Sequence, residues 1–218
     1  MSSNSKVQIL NHPLVIHKLS VLRNKETSPK EVRELLKELS LLLALESTRD
    51  LPLISKGEQL SPVGSYEGFK IGQNVGLFPI LRAGLGLMDG FLSMVPTAKT
   101  HHLGLYREKS TFLPVEYYNK LPSTCAIEAG FVLDPMIATA GTAIASVSIL
   151  KDWGLKNIKF CCVVASRVGL DSLIAAHPDI EIYVYEIFCA VDEVLTSGKY
   201  IVPGLGDAGD RIFNTFHE

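Results

Sequence analysis

The sequence contains no apolar run close to the roughly 20 residues that a membrane-spanning helix requires. Its first residues, Met1 to Leu10, are polar and lack the charged and then apolar pattern of a secretory signal. The four cysteines form no Cys-x-x-Cys pair, and three of them lie in apolar, strand-like segments, which indicates buried thiols. These absences predict a cytoplasmic chain with no membrane partner.

The sequence also has no large excess of positive or of negative charge. The formal net charge is -2 and the sequence pI is about 6.3, which argues against a protein that binds nucleic acid through bulk electrostatics. The histidines are not spaced as metal ligands. His12 and His17 flank Pro13, and His101 and His102 occupy a predicted strand, where neighbouring side chains face opposite sides. We expect no nucleic-acid partner and no metal site made of protein side chains alone.

The chain has enough apolar residues for one sizeable core, since 47% of its 218 residues are hydrophobic. We therefore predict a single domain over residues 1–218. Strand-like and helix-like runs alternate after residue 74, which predicts an α/β fold with a doubly wound parallel sheet of about five strands flanked by helices. The predicted strands are 75–80, 101–106, 130–134, 158–165 and 181–188. The predicted helices are 84–94, 141–153 and 170–176.

Three segments lie outside this alternation. Residues 1–50 are predicted to be largely helical, because Thr27 or Ser28 before Pro29 suits a helix start and an amphipathic stripe follows. The apolar excess at residues 41–45 indicates either a subunit contact or a deeply buried helix. Glycines and prolines in residues 51–74 predict loops with a short strand. Residues 106–121 are too irregular for a helix and are interpreted as a flexible hairpin arm.

The candidate site centres on Asp134. It follows the apolar run 131–133. Because Pro135 has no amide hydrogen to donate to a neighbouring strand, Asp134 is predicted at the carboxyl end of a strand. The small-residue loop 138–142 then leads into a helix, whose N-terminal amides suit a phosphate. Neither a Walker lysine nor a Gly-x-Gly-x-x-Gly pattern is present, which argues against a P-loop and against a dinucleotide site. The short distance in sequence between Asp134 and the loop 138–142 instead favours a phosphorylated sugar, with its hydroxyls at Asp134 and its phosphate at the loop. The alternative is an ordinary strand-to-helix connection with a capping threonine.

Two arginines follow predicted strands. Arg82 precedes a tight Ala-Gly turn, and Arg107 ends the next strand. Because ligands of doubly wound sheets bind at the carboxyl ends of the strands, we expect both to share one rim with Asp134 and to clamp a diphosphate. The alternative is that each pairs on the surface with a nearby acid such as Asp89 or Glu108.

Three stretches, at residues 78–90, 132–139 and 200–210, resemble the uracil phosphoribosyltransferases, a family of type I phosphoribosyltransferases. The similarity runs from about His12 to Phe213. It implies a β-hairpin arm and a small C-terminal base-binding hood, with a uracil-binding loop at 196–213. It also implies a pentosyltransferase of pyrimidine salvage. Such an enzyme transfers the phosphoribosyl group of 5-phospho-α-D-ribose 1-diphosphate (PRPP) to N1 of uracil, giving UMP and pyrophosphate.

The resemblance assigns roles residue by residue. The implied PRPP-binding residues are Arg82, Arg107, Asp134, Pro135, Met136, Ile137, Ala138, Thr139, Ala140, Gly141, Thr142 and Asp207. The implied uracil-binding residues are Tyr200, Ile201, Gly206, Asp207 and Ala208. Arg107, Asp134 and Asp207 are the implied catalytic groups. Mg²⁺ is expected mainly on the substrate diphosphate, with Asp207 as the candidate protein ligand. A homodimer or homotetramer, activation by GTP as in some relatives, and a mobile flap are further implications.

The chain departs from the family pattern in places. Ala140 stands where a glycine is expected, and its methyl group is predicted to crowd the phosphate or to demand a right-handed backbone. Residues 166–169 replace an apolar-proline turn, and residues 109–112 are less acidic than expected. We expect an active enzyme with altered affinity. Two alternatives stay open: a regulator that binds the phosphosugar or a pyrimidine nucleotide and acts on RNA, and a transferase for another base.

Overall fold

The computed structural model describes residues 6–108, 114–185, 191–192, 194–195 and 201–216. The helices are α1 (Pro13–Arg23), α2 (Pro29–Ser47), α3 (Leu85–Met94), α4 (Gly141–Asp152), α5 (Arg167–Ala176) and α6 (Ala208–Phe213). The strands are β1 (Val7–Leu10), β2 (Leu53–Ser61), β3 (Gly64–Ile71), β4 (Val75–Leu81), β5 (Lys99–Thr100), β6 (Leu103–Arg107), β7 (Pro114–Asn119), β8 (Ala129–Leu133), β9 (Met136–Ile137), β10 (Ile158–Cys161), β11 (Val164–Ser166), β12 (Glu181–Tyr185), β13 (Val191–Asp192), β14 (Val194–Leu195) and β15 (Ile201–Val202).

The main sheet has the strand order β1-β12-β10-β8-β4-β6-β7, with β5 beside β4. Its strands pair in parallel except for β6 and β7, which pair antiparallel in the segment predicted as a hairpin arm. Successive residues of β4 enter different cores: Leu77 packs with α2 and α3, whereas Phe78 packs with α4 and α5. Burial on both faces is typical of a doubly wound sheet, so the predicted α/β class is confirmed.

The five predicted strands correspond to β4, β6, β8, β10 and β12, and three details were wrong. The short strand β1 adds an edge, parallel to β12, in a segment predicted to be helical. His101 and His102 lie between β5 and β6 rather than within a strand. The run predicted at 158–165 is broken into β10 and β11, because the amides of Val163 and Val164 both donate to the Pro135 carbonyl, at 3.0 Å each. Residues 186–188 of the last predicted strand lie outside the described residues.

Strand β11 belongs to a second, three-stranded sheet with the order β13-β11-β9. Val164 and Ala165 of β11 align with Met136 and Ile137 of β9. This small sheet lies beyond the carboxyl ends of β8 and β10, so it fixes the start of the loop that follows Asp134.

Residues 53–71 form a long antiparallel hairpin, so the prediction of loops with one short strand was wrong. The turn-forming residues lie at the irregular points of this ladder. Gly57, with a φ of 77°, follows the bulge at Ser55, and Pro62 lies in the turn between β2 and β3.

The N-terminal prediction of a helix starting near Ser28 is confirmed. Ser28 caps α2 in a reciprocal capping box with Glu31. Leu36, Leu39 and Leu43 of α2 are fully buried against the sheet and α3, whereas Leu45 is 52% exposed. The apolar excess at 41–45 is therefore only partly covered within this chain.

Candidate active site

Asp134 lies directly after β8, between the ends of β10 and β4, as its position before Pro135 predicts. Its amide donates to the Cys161 carbonyl at 3.3 Å, and a carboxylate oxygen accepts from the Met136 amide at 3.4 Å. These bonds turn the chain out of the main sheet and place the carboxylate at the sheet's carboxyl edge.

The phosphate loop, residues 138–142, connects β9 to α4. Ala140 is the N-cap of α4 and makes no side-chain capping bond, which contradicts the alternative of a capping threonine. The first intrahelical bond runs from the Ile144 amide to the Ala140 carbonyl at 2.8 Å. The amides of residues 141–143 precede that bond, so they and the positive end of the helix dipole have the chemistry that suits an anion.

Ala140 adopts a left-handed backbone, with φ 64° and ψ 1°. Of the two alternatives predicted for Ala140, the right-handed backbone is therefore wrong. The residue is 4% exposed and its methyl group packs in the apolar cluster with Ala143 and Val147 of α4. A left-handed residue just before a helix turns successive amides toward one point, which favours anion binding at a cost in backbone strain.

Two adjoining cavities meet at this edge of the sheet. The first, of about 210 Å³, lies between residues 136–143 on one side and residues 206–209 on the other. The second, of about 330 Å³, extends along the ends of β4 and β6, past Tyr106. Asp134, Thr142 and Asp207 line both cavities. One continuous site therefore joins the strand-end carboxylate, the phosphate loop and the glycine-rich C-terminal loop.

The Asp134 carboxyl has an unusual affinity for protons. Its pKa is raised to about 7, mainly by burial; the hydrogen bond from the Met136 amide lowers the pKa, and the negative charge of Asp207 adds a smaller increase. Among the described residues, no group of three or more His, Cys, Asp or Glu side chains is arranged to hold a metal ion by itself.

Arg82 follows β4, and the Leu81–Arg82 peptide bond is cis. Its guanidinium donates to an Asp210 oxygen at 2.8 Å and to the Thr215 hydroxyl at 3.0 Å, and it lies 5.8 Å from the centre of the Phe213 ring. Asp210, rather than Asp89 or Glu108, is thus a partner of this side chain. Arg82 remains half exposed and lines the second cavity.

Gly84 completes the turn after Arg82. A Cβ atom there would lie 2.3 Å from the Leu133 carbonyl oxygen and 2.6 Å from the Ile80 amide nitrogen, so only glycine fits. The end of β4 can therefore approach the residue before Asp134 closely. This contact keeps the two strand ends of the site together.

The segment 196–213, implied to be a uracil-binding loop, contains regular structure. In its described part β15 pairs with β14, and α6 begins at Ala208. Asp207 is the N-cap of α6, accepting from the Asp210 amide at 2.9 Å. Buried Arg211 donates to the carbonyls of Leu205 and Asn24, at 3.0 and 2.9 Å, which fastens the loop to the turn after α1.

The structure brings most of the predicted site residues to the two cavities. Met136 to Thr142, Asp134, Arg82, Gly206, Asp207 and Ala208 line them. Pro135 and Ile201 are buried and line neither cavity; Pro135 instead accepts the two amides of β11. Tyr200 and the side chain of Arg107 lie outside the described residues.

Sequence reasoning missed Ala83, Gly209 and the aromatic pair Tyr106 and Tyr117, whose ring centres are 5.9 Å apart. Ala83 and Gly209 are direct neighbours of predicted residues and carry no chemical signal of their own. The two tyrosines meet only because β6 and β7 pair antiparallel.

A parallel sheet with a strand-end aspartate, a phosphate loop at a helix N-terminus and a facing glycine-rich loop defines a phosphosugar transferase of the phosphoribosyltransferase class. The family model described as uracil phosphoribosyltransferase matches residues 9–215. Two similar proteins are the uracil phosphoribosyltransferases of Roseiflexus sp. (strain RS-1), 49% identical, and of Symbiobacterium thermophilum, 48% identical; each match covers 97% of this chain and 99% of the relative. The AQ2163 protein from Aquifex aeolicus has a similar structure, with a TM-score of 0.88 and 33% identity over 97% of this chain and all of that chain. The chain belongs to the uracil phosphoribosyltransferase family.

No helix in the described part of the chain is both long enough and apolar enough to cross a membrane.

Proposed function

We propose that this chain transfers the 5-phosphoribosyl group of PRPP to N1 of uracil, releasing pyrophosphate and giving UMP. The observation that carries this proposal is the meeting of Asp134, the phosphate loop and residues 206–209 around one site, in a chain of this family. In the reaction, a bond forms between uracil N1 and ribose C1 while the bond from C1 to the diphosphate oxygen breaks. The N1 proton is released.

The 5′-phosphate binds at the phosphate loop. The amides of residues 141–143 and the hydroxyls of Thr139 and Thr142 supply donors, and the α4 dipole favours the negative charge. The phosphate thereby anchors the sugar, so that C1 is held at a fixed distance from the base.

Asp134 binds the ribose hydroxyls. In its ionised form the carboxylate accepts hydrogen bonds from two neighbouring hydroxyls and stabilises the positive charge that develops on the ring as the diphosphate departs. Because its pKa is about 7 before substrate binds, the active form becomes populated as the pH rises through neutrality.

The diphosphate occupies the second cavity, where Arg82 supplies positive charge. Arg107, at the end of the neighbouring strand β6, is proposed as the second arginine of this clamp. Mg²⁺ is proposed on the diphosphate, and the residues present fit it, since Asp134 and Asp207 bring two mutually repelling carboxylates to the same cavities. Bound there, Mg²⁺ would neutralise charge on the leaving group, and Asp207 is the protein group that would contact it.

The base binds against Gly206, Asp207 and Ala208. A uracil edge offers a carbonyl, an N–H and a second carbonyl, which backbone amides and carbonyls can match without a charged side chain. Tyr200 and Ile201 are proposed to complete this recognition; Ile201 is buried and does not itself line the cavity.

We also propose that the chain forms a homodimer or homotetramer. The β2–β3 hairpin is largely exposed, with Leu60 86%, Val63 98% and Phe69 57% exposed. A two-stranded hairpin is marginally stable by itself, and apolar side chains at such exposure favour burial against another surface. A second copy of this chain is the proposed surface. Activation by GTP stays a prediction of the family resemblance, checked by the initial rate with and without GTP.

The test of the proposed activity is incubation of the purified protein with uracil, PRPP and Mg²⁺. We expect UMP and pyrophosphate to form in equal amounts, and chelation of Mg²⁺ to stop the reaction. Binding of PRPP without any product would instead support a regulator.

A further inference from the structure

Ser166, the last residue of β11, connects two parts of the fold. It is fully buried, its hydroxyl donates to the Ala138 carbonyl in the phosphate loop, and the same oxygen accepts from the Gly169 amide at 2.9 Å. Ser166 is therefore both the N-cap of α5 and a direct partner of the phosphate-loop backbone.

The start of α5 lies unusually close to this loop. A Cβ atom at Gly169 would lie 2.4 Å from the Ala138 carbonyl oxygen and 3.0 Å from Cγ2 of Ile137. The pairing of Ala165 with Ile137 brings Ser166 next to Ala138, and glycine at position 169 lets α5 turn away without a clash. The contact between Ser166 and Ala138 therefore depends both on the register of β11 against β9 and on the close approach of the backbone at Gly169.

The loop that Ser166 holds contains a strained residue. Ala140 keeps a left-handed backbone, which is unfavourable for a residue with a Cβ. Such a conformation persists only when the surroundings determine it. Ala138 is two residues upstream, so fixing its carbonyl restricts the chain as it enters the left-handed turn.

We propose that Ser166 is a positioning residue for the transfer reaction. Its bond to Ala138 holds the phosphate loop in the conformation in which Ala140 is left-handed and the amides of residues 141–143 face the 5′-phosphate. This inference rests on the proposed function, because it assigns the 5′-phosphate of PRPP to the loop. It predicts that Ser166 and Ala140 are energetically coupled.

The experiment compares Ser166→Ala in two backgrounds, the native chain and Ala140→Gly. Glycine adopts the left-handed conformation at little cost, so the loop then needs less support. In the native background, Ser166→Ala is expected to raise KM for PRPP about fivefold, which is the change in an equilibrium constant that the loss of one typical hydrogen bond produces. KM for uracil is expected to stay near its native value. In the Ala140→Gly background the increase is expected to be below about twofold.

Calorimetric binding of ribose 5-phosphate separates this inference from the proposed activity. The probe carries the 5′-phosphate and the ribose hydroxyls, and its affinity should fall by the same factor in Ser166→Ala. If the native chain forms no UMP, the proposed function fails, but the binding comparison still decides the role of Ser166.

Ser28→Ala is the matched control, since Ser28 is also a serine N-cap but lies on the exposed start of α2. Removing either cap should lower the stability of the fold by a similar amount, yet only Ser166→Ala should change the affinity for ribose 5-phosphate. If Ser166→Ala does not fold, Ser166→Cys replaces it, because a thiol fills a similar space and is a weak donor. Native affinity in the Ser166 variant, or an equal loss in both backgrounds or in Ser28→Ala, would overturn the proposal.

Discussion

The Arg82 guanidinium donates to the Asp210 carboxylate at 2.8 Å, across 128 positions of the sequence. The Thr215 hydroxyl donates to the same carboxylate at 2.7 Å and also accepts from Arg82 at 3.0 Å. The end of β4, which lines the proposed diphosphate cavity, is therefore tied to α6, whose N-cap Asp207 is a proposed uracil-binding residue. We expect a change at Arg82 or at Asp210 to affect the binding of both proposed substrates.

The first prediction concerns Arg82→Ala. Loss of the cation is expected to lower kcat/KM for PRPP by about 100-fold, because charge-assisted bonds to a departing diphosphate are lost. Thermal stability should change little, since half-exposed ion pairs contribute about 1 kcal/mol or less. Steady-state kinetics and a melting curve check both statements.

Arg49→Ala is the matched control for that prediction. Arg49 makes a bidentate pair with Glu46 near the end of α2, away from both cavities. Its loss should leave kcat/KM near the native value. An equal loss of activity in both variants would show that Arg82 acts only as a surface ion pair.

A second prediction concerns stability and pH at Asp134. Its pKa in the folded state, about 7, lies above the ordinary value of 3.8. Between about pH 3.8 and pH 7 this carboxyl is therefore protonated in the folded state and ionised in the unfolded state. The free energy of unfolding contributed by this group therefore falls as the pH rises from about 4 to 7. Asp134→Asn removes the effect and is expected to be more stable than the native chain at pH 8, by on the order of 4 kcal/mol.

The measurement is denaturant unfolding of both proteins at pH 8 and pH 4.5. The advantage of Asp134→Asn should shrink toward the lower pH. An advantage that is equal at the two pH values would show that the carboxyl is not held in an environment that disfavours its charge.

A third prediction is the pH dependence of the reaction. If the ionised Asp134 binds the ribose hydroxyls, kcat/KM of the native enzyme for PRPP rises with pH through about 7 and then levels off. Asp134→Asn should have low activity that lacks this rise. A native rate that is flat from pH 6 to pH 8 contradicts the assigned role.

A fourth prediction concerns Arg107, at the end of β6. Arg107→Ala is expected to depress kcat strongly while Tm stays within about 2 °C of the native value, because the proposed role of Arg107 is to bind the diphosphate and not to stabilise the fold. Single-turnover rates and a melting curve check this pair of statements. An unchanged rate would remove Arg107 from the clamp.

A fifth prediction tests the proposed oligomer. Val63→Asp places a charge at the tip of the β2–β3 hairpin, where the native side chain is 98% exposed, and is expected to lower the molar mass measured by light scattering. Glu58→Gln, an exposed polar change on β2 of the same hairpin, serves as the control and should leave the mass unchanged. A monomeric native protein would contradict the proposal outright.

The sequence predicts the central elements because their signals are local. The apolar run before Pro135 places Asp134 at a strand end, and the capping pattern at Ser28 places the start of α2. No local signal identifies the partner of Arg82, because Asp210 is 128 positions away in the chain. Acidic residues nearer in sequence, such as Asp89, are equally plausible partners when only the sequence is considered.

The wrong predictions have physical reasons of the same kind. Strand β1 forms only because β12 offers an edge for its backbone, and Val7–Leu10 is too short to show a strand pattern by itself. The left-handed conformation of Ala140 opposes its intrinsic preference and depends on tertiary packing. The break between β10 and β11 arises from the Pro135 carbonyl, which belongs to another strand connection.

The most direct test of the central claim is a competition assay in which one tube contains the enzyme, PRPP, Mg²⁺ and equal amounts of uracil, cytosine and hypoxanthine. Mass spectrometry of the nucleoside monophosphates measures which base is used. We predict that UMP is the only product. Formation of a cytosine or hypoxanthine nucleotide at a comparable rate, or of no nucleotide at all, would contradict the assignment of residues 206–208 to uracil and of this site to phosphoribosyl transfer.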